Sequence, residues 1–319
     1  MTVERVSTAA QTQYFLNQIQ RAGAQLDTTQ QQIASGNNAD TYAGFGDQTQ
    51  MLTASIAANA RNTAYQNATT LAVTQTDMQD TQLTSLQGLA AQLSKAVSDA
   101  VANNDGSTLM SQAQSIFEQA TAILNSKDAN GDYIYGGGKT DVPPVTVNSL
   151  SALAALPAVS NAFANGTDKK SVQVADGVTV SYGVTASDAA TGLMQSLSDL
   201  AQFDAGSTGN FSATTNLTGA QTSYLTGAIS STQAMSNNLT TVVSQNGYVY
   251  NRLTDAQTQQ SSMDTLYKGF ISNIQDTNMA TAATQLSLNQ TQLQAALGVT
   301  AQLNQLSLLN YLPVSSSGG

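Results

Sequence analysis

Apolar residues recur every seven positions near both ends of the chain, and this spacing restricts the fold more than any other feature. Near the N-terminus Ile19, Leu26 and Ile33 are so spaced, with Phe15 and Ala22 interleaved. Near the C-terminus Met279, Leu286 and Leu293 repeat the pattern, and polar Asn289 lies on the same seam. A seven-residue repeat keeps one side of a helix turned toward a partner helix, as in a coiled coil. Leu303 keeps the register beyond Thr300, and Leu306 falls one residue off it. The stripes are narrow and flanked by Gln and Thr, so neither helix buries much surface alone. Both ends are expected to order only against each other or against neighbouring subunits, as in an assembling structural protein. Ile19, Leu26, Ile33, Met279, Leu286, Leu293, Leu303 and Leu306 are the candidate assembly contacts.

The pattern predicts a first helix over about 5–35, stopped by Gly36 and the turn cluster SGNNAD. A second is expected over 47–101, striped by Leu71, Met78, Leu86, Leu89, Leu93 and Val97, and a third over 107–124. The segment KDANGDYIYGGGKTDVPPVTV, with four Gly and two adjacent Pro, then reads as loop and strand. Short helices are expected over 150–156 and 159–163. Val172 and Val174, the turn Asp176-Gly177, then Val178, Val180, Tyr182 and Val184 form an alternating pattern that predicts a tight hairpin. Helix returns over 186–203. From 217 to 309 it dominates again, first in a long helix marked by Leu225, Ile229, Met235, Leu239 and Val242, in which Asn246-Gly247 is an expected interruption.

The fold class is therefore mainly α with a smaller α+β insert. Long terminal helices form a coiled-coil or bundle core, and the outer domain contains a β-hairpin. The predicted organisation is terminal assembly helices at 1–45 and 270–312, a helical core at 46–141 and 205–269, an outer insert at 142–204, and a flexible tail at 313–319.

Composition narrows the chemistry. The chain of 319 residues has no His, Cys or Trp. A Ser-His-Asp triad, a Cys/His zinc site and a thiol nucleophile are excluded. Charged residues are 9% of the chain, against roughly 25% in an average soluble protein. The formal charge of -10 argues against nucleic-acid binding. No apolar run reaches the length of a membrane-spanning helix, and the N-terminus has no apolar core of a cleaved signal. No cofactor is expected, and no enzyme activity.

Four constellations resemble functional motifs. Asp128, Asn130 and Asp132 have calcium-loop spacing, but Tyr133 and Lys139 stand where the motif needs Gly and Glu. Gly136, Gly137 and Gly138 precede Lys139-Thr140, yet the first glycine of a phosphate loop would fall at Tyr133. Tyr133, Tyr135 and Tyr182 suggest either a sugar-binding face or the cover of a small core. Asp77 with Asp80, and Asp199 with Asp204, are paired carboxylates best read as solvated helix faces.

Three segments carry a family resemblance. QIASGNNADTYAGFGDQTQ, from Gln32 to Gln50, GDYIYGGGKTDVPPV, from Gly131 to Val145, and FISNIQDTNMATAATQLSLNQTQLQAALGVTAQLNQLSLLNYL, from Phe270 to Leu312, resemble the flagellin superfamily. The ISNIQD motif, the Met279-Ala280 pair and the Asn310-Tyr311-Leu312 ending are similar, more narrowly, to its hook-filament junction family. Gln275 and Asn278 stand where members often carry an acid. The resemblance implies a structural protein exported unfolded through the flagellar type III channel without a cleaved signal, to an extracellular position in the flagellum. It implies a cytoplasmic export chaperone, self-association in a ring, and neighbours that are a hook-side junction protein and filament flagellin. Low charge and absent Cys suit such a passage. The alternatives are a filament flagellin, bulk or minor, and a surface binding module that uses the insert.

Overall fold

A computed structural model describes residues 2–213 and 216–309, with side chains at Ala10 and over 13–213 and 216–302. The helices are α1 Thr2–Ser35, α2 Thr49–Asn103, α3 Leu109–Leu124, α4 Leu150–Ala154, α5 Ala186–Ala205, α6 Gly219–Gln275 and α7 Met279–Leu309. Two 3-10 turns, Tyr42–Gln48 and Val159–Ala162, and one antiparallel hairpin, β1 Lys170–Ala175 with β2 Val178–Tyr182, complete the order. This is the expected mainly helical class with a small α+β insert.

Contacts divide the chain into two units, residues 1–60 with 264–319, and residues 61–263. The second holds the main core. Leu83, Leu86 and Leu93 of α2 pack in one cluster with Ile116, Phe117 and Leu124 of α3, Leu193, Met194 and Leu197 of α5, and Leu225 and Leu239 of α6. Each such side chain contributes roughly 1.5–3 kcal/mol when fully buried. Residues from the insert, among them Val145, Leu150, Leu153 and Val159, join the same cluster.

The insert is fastened by side chains that hold backbone groups. Asn125 donates to the Val145 carbonyl and accepts from its N–H, both at 2.9 Å. Thr185 caps α5 by accepting from Asp188 N–H. Gly137, at φ +62, lies so close to the Gly166 carbonyl that a Cβ would stand 2.6 Å from it. Gly136 and Gly137 thus sit at a packed junction that only glycine fits. Asp128 accepts from the N–H groups of Asn130 and Asp132, an Asx-type turn that occupies the would-be ligand oxygen.

Three expectations need correction. Leu71 and Met78 are 55% and 36% exposed. The inward face of α2 instead follows Asn62, Thr69 and Thr76, in seven-residue phase with Leu83, Ala90 and Val97. Asn246-Gly247 does not interrupt α6, because Asn246 is buried and donates to the Thr76 carbonyl at 3.2 Å. Val178 is exposed, since a register shift between Gln173 and Ala175 sets it beside the turn, while Val172, Val174, Val180 and Tyr182 are buried.

Tyr135 is fully buried and its hydroxyl has no hydrogen-bond partner among the described residues. Burial pushes its phenol far above the ordinary range, and pushes Tyr224, beside Asp199, up to about 12. Such groups stabilise fully below the unfolded value of about 10, and the stability is lost as pH rises past it, because only the unfolded chain ionises there. We expect the unfolding free energy to fall between about pH 10 and 12, and Tyr135→Phe to flatten that fall by up to about 1.4 kcal/mol per pH unit. At pH 7 the same variant should be neutral or stabilised, since it removes an unpaired buried hydroxyl. Denaturant titrations at pH 7 and 11 check both; an unchanged alkaline slope would contradict the assignment.

Candidate assembly surface

The terminal unit is built from one antiparallel seam, between α1 and α7, and one clasp. On α1 the half-buried positions Phe15, Ile19, Ala22, Leu26 and Ile33 share a face with buried Thr29. On α7 the half-buried Leu286, Leu293 and Ala296 share a face with buried Ala282 and Asn289. The two faces meet where Asn289, 1% exposed, donates to Thr29 Oγ1 at 3.0 Å. Thr29 in turn donates to the Gln25 carbonyl at 2.8 Å, one turn back. The buried hydroxyl is thereby satisfied without breaking the helix.

The structure therefore places five of the eight candidate contacts, Ile19, Leu26, Ile33, Leu286 and Leu293, on an intrachain seam. Met279 lies at the first turn of α7 and is half exposed. Leu303 and Leu306 belong to α7, but their side chains lie outside the described residues, as do Asn310, Tyr311 and Leu312 entirely.

Asn38 is the clasp, which sequence reading missed. Gly36, at φ +74, ends α1 and sends the chain toward the α6–α7 turn. Asn38 Nδ2 donates to the carbonyls of Ile274 and Asp276 at 2.9 and 3.1 Å, and its N–H donates to the Gln275 carbonyl at 2.7 Å. Thr277 donates to Asn38 Oδ1 and to the Gly36 carbonyl. Asn278 caps α7, accepting from Thr281 N–H. Gln275 takes part through its carbonyl, so an amide in place of an acid leaves this contact intact.

What the unit leaves uncovered is equally specific. Among its described residues only Leu52, Ile274 and Ala282 are buried apolar side chains. Tyr14, Leu16, Tyr42, Met51, Ile56, Leu266, Met279, Leu288, Leu297 and Val299 are exposed, Leu288 and Leu297 by about half. From Thr277 to Gly319 the sequence has no charged side chain. A helix without charge, carrying half-exposed leucines on faces beyond its seam, is suited to packing against other uncharged helices.

The tyrosines make no comparable surface. Tyr135 is in the main core, and Tyr182 packs in a small core with its hydroxyl on Gln75. Tyr133 lies under Lys127, whose Nζ is 4.6 Å from the ring centroid. Asp204 accepts from Phe211 N–H and Asp80 from Asn246, so these carboxylates serve as structural acceptors.

Comparisons with known proteins agree with this geometry. Residues 226–312 match the model of the bacterial flagellin C-terminal helical region. A flagellar hook-associated protein from Vibrio parahaemolyticus has the same fold at a TM-score of 0.55 and 18% identity, the match covering 72% of this chain and 97% of that one. FlgL of Bacillus cereus matches at a TM-score of 0.50 and 13% identity, over 69% of this chain and 98% of its own. No curated protein matches the sequence.

Replacing Asn38 by Ala removes the two side-chain donors of the clasp and should cost about 1–3 kcal/mol. Limited proteolysis should then cut at 35–41 and 275–279 several times faster, while fragments from 61–263 stay resistant. Equal cutting rates in both proteins would show that Asn38 does not hold the turns together.

Proposed function

We propose that this chain, which carries the flagellin C-terminal helical region, is a structural subunit of the bacterial flagellum that joins hook to filament. The observation that carries this reading is the terminal unit. It has almost no dry core of its own and exposes ten large apolar side chains among its described residues. Half-buried seams of this kind leave the ordered state dependent on neighbours that supply the missing burial. The match of residues 226–312 to the flagellin region and the shared fold with hook-associated proteins support the same role.

In this reading the chain is exported unfolded through the type III channel, held beforehand by a cytoplasmic chaperone. It then self-associates in a ring between a hook-side junction protein and filament flagellin, outside the cell. Assembly would use the faces that the α1–α7 seam leaves free, with Ile19, Leu26, Ile33, Leu286 and Leu293 setting the helix pair that presents them and Met279, Leu303 and Leu306 as further assembly contacts. The protein acts as a structural molecule, and flagellin-family proteins are not enzymes. A filament flagellin is the nearest rival, since the family match covers a region that flagellins share.

Two measurements test the proposal. Immunogold labelling of intact flagella, with antibody against residues 142–203, should give a single label at the hook end of each filament. Label along the whole filament would make the chain a flagellin. Leu293→Asp places a carboxylate on the half-buried seam and should abolish incorporation, with circular dichroism and protease resistance of 61–263 unchanged. Normal incorporation of that variant would remove the terminal helices from the assembly mechanism.

A further inference from the structure

Within residues 61–263 the long helices α2 and α6 are joined by a seam of two different characters. One half is apolar, with Leu83, Leu86, Ala90, Leu93 and Val97 of α2 in the main core beside Leu225, Met235 and Leu239 of α6. The other half is polar. Asn62, Thr69, Thr76 and Gln79 of α2, and Asn246 and Gln260 of α6, are all buried there. Asn62 donates to the Gln260 carbonyl at 2.8 Å, and Gln260 Nε2 to Thr69 Oγ1 at 2.9 Å. Asn246 Oδ1 and Gln260 Oε1 have no hydrogen-bond partner among the described residues. A buried seam of this kind fixes register but contributes little net stability, and each unpaired oxygen costs free energy.

The hairpin covers this polar half. Val172, Val174, Val180 and Tyr182 form a second small core with Ala72 of α2 and Leu253 of α6. Its tethers reach both helices. Tyr65 donates to Asp176 Oδ1 at 2.6 Å, and Tyr182 to Gln75 Oε1 at 3.1 Å. Gln79 brackets the hairpin exit, donating to the Val184 carbonyl and accepting from its N–H, both at 3.0 Å. From the other side Gln260 Nε2 donates to the Val174 carbonyl at 2.7 Å. The same amide thus bonds to α2 and to β1.

We infer that the hairpin is a strap that holds α2 and α6 together along their polar half, and that this half opens as a local unit when the strap is released. The insert supplies the apolar cover that the helices lack there. The apolar half needs no strap. The consequence is a helical pair with one firm end and one end whose order is set by a separate element.

Amide hydrogen exchange on the full chain tests this. Releasing the strap with Val172→Ser and Val174→Ser should speed exchange at least about tenfold at 62–76 and 246–260. Exchange at 83–100 and 186–201 should stay within about twofold of the parent. Tyr65→Phe with Gln79→Ala cuts tethers on α2 without altering the hairpin's apolar face, and should give a smaller effect in the same segments. Adding Thr69→Leu and Gln260→Leu to the released protein should restore protection, because an apolar seam no longer needs cover. Unchanged exchange at 62–76 and 246–260 would overturn the inference. So would equal acceleration at 83–100 and 186–201, which would make the hairpin an ordinary part of one cooperative core.

Discussion

Everything long in this protein depends on satisfying polar groups inside helix–helix seams. Thr29, Thr76 and Thr232 are buried, and each hydroxyl donates to a carbonyl of its own helix, at Gln25, Ala72 and Ile229. A threonine satisfied in this way presents its methyl and branched carbon to the partner helix much as valine does. The longer amides then bond across: Asn289 to Thr29, Asn62 to the Gln260 carbonyl, and Asn246 to the Thr76 carbonyl. Seams of this composition exclude water and fix geometry, yet they contribute far less than leucine seams would. The helices stay long because many weak steps repeat, not because any step is strong.

Apolar burial is concentrated accordingly. The main core draws on α2, α3, α5 and α6 and on the insert, where Phe117, Tyr135, Phe211 and many leucines are fully enclosed. Among its described residues the terminal unit has three small or medium apolar side chains buried and a larger set exposed. A folding unit of that composition recovers little of its ordering entropy internally. Its structure is therefore coupled to whatever covers it. In the proposed role, a subunit stable in the middle and conditional at its ends would exist before assembly and gain order by assembling.

Much of this was legible in the sequence because the relevant signals are local. Gly36 ends α1 through a positive φ, Asp176-Gly177 makes the hairpin turn, and the spacing of Ile19, Leu26 and Ile33 shows one helix face directly. Two of the three corrections share a cause, and the third, Val178, follows from the register shift in the hairpin. Leu71 and Met78 belong to an apolar spacing on α2, whereas the buried Thr69, Thr76 and Gln79 are polar and carry no hydrophobic signal. The overlooked signal was phase, since Asn62, Thr69 and Thr76 stand at seven-residue steps before Leu83, Ala90 and Val97. The same bias made Asn246-Gly247 look like a break. Nor does spacing alone separate an intrachain seam from an intersubunit one. That distinction needed the Asn289–Thr29 pairing, between residues far apart in sequence.

That pairing also answers a question of specificity. The α7 seam is built from Ala and Leu at repeating steps, with no charge to oppose a slip of the helix by one repeat. In the antiparallel register Asn289 meets Thr29. Slipped by seven residues, it would face Ala22 or Gly36, neither of which offers a side-chain acceptor. The buried Nδ2 would then lose its side-chain acceptor, at a cost of about 1–3 kcal/mol, while Oδ1 keeps its bond from Gln285 in the same helix. The half-buried Leu286 and Leu293 distinguish one register from the next less sharply, because the α1 stripe repeats similar apolar residues, Ile19, Leu26 and Ile33, at seven-residue steps. One polar residue thus outweighs the apolar contacts in selecting the alignment, although it adds less than they do to the stability of the pair.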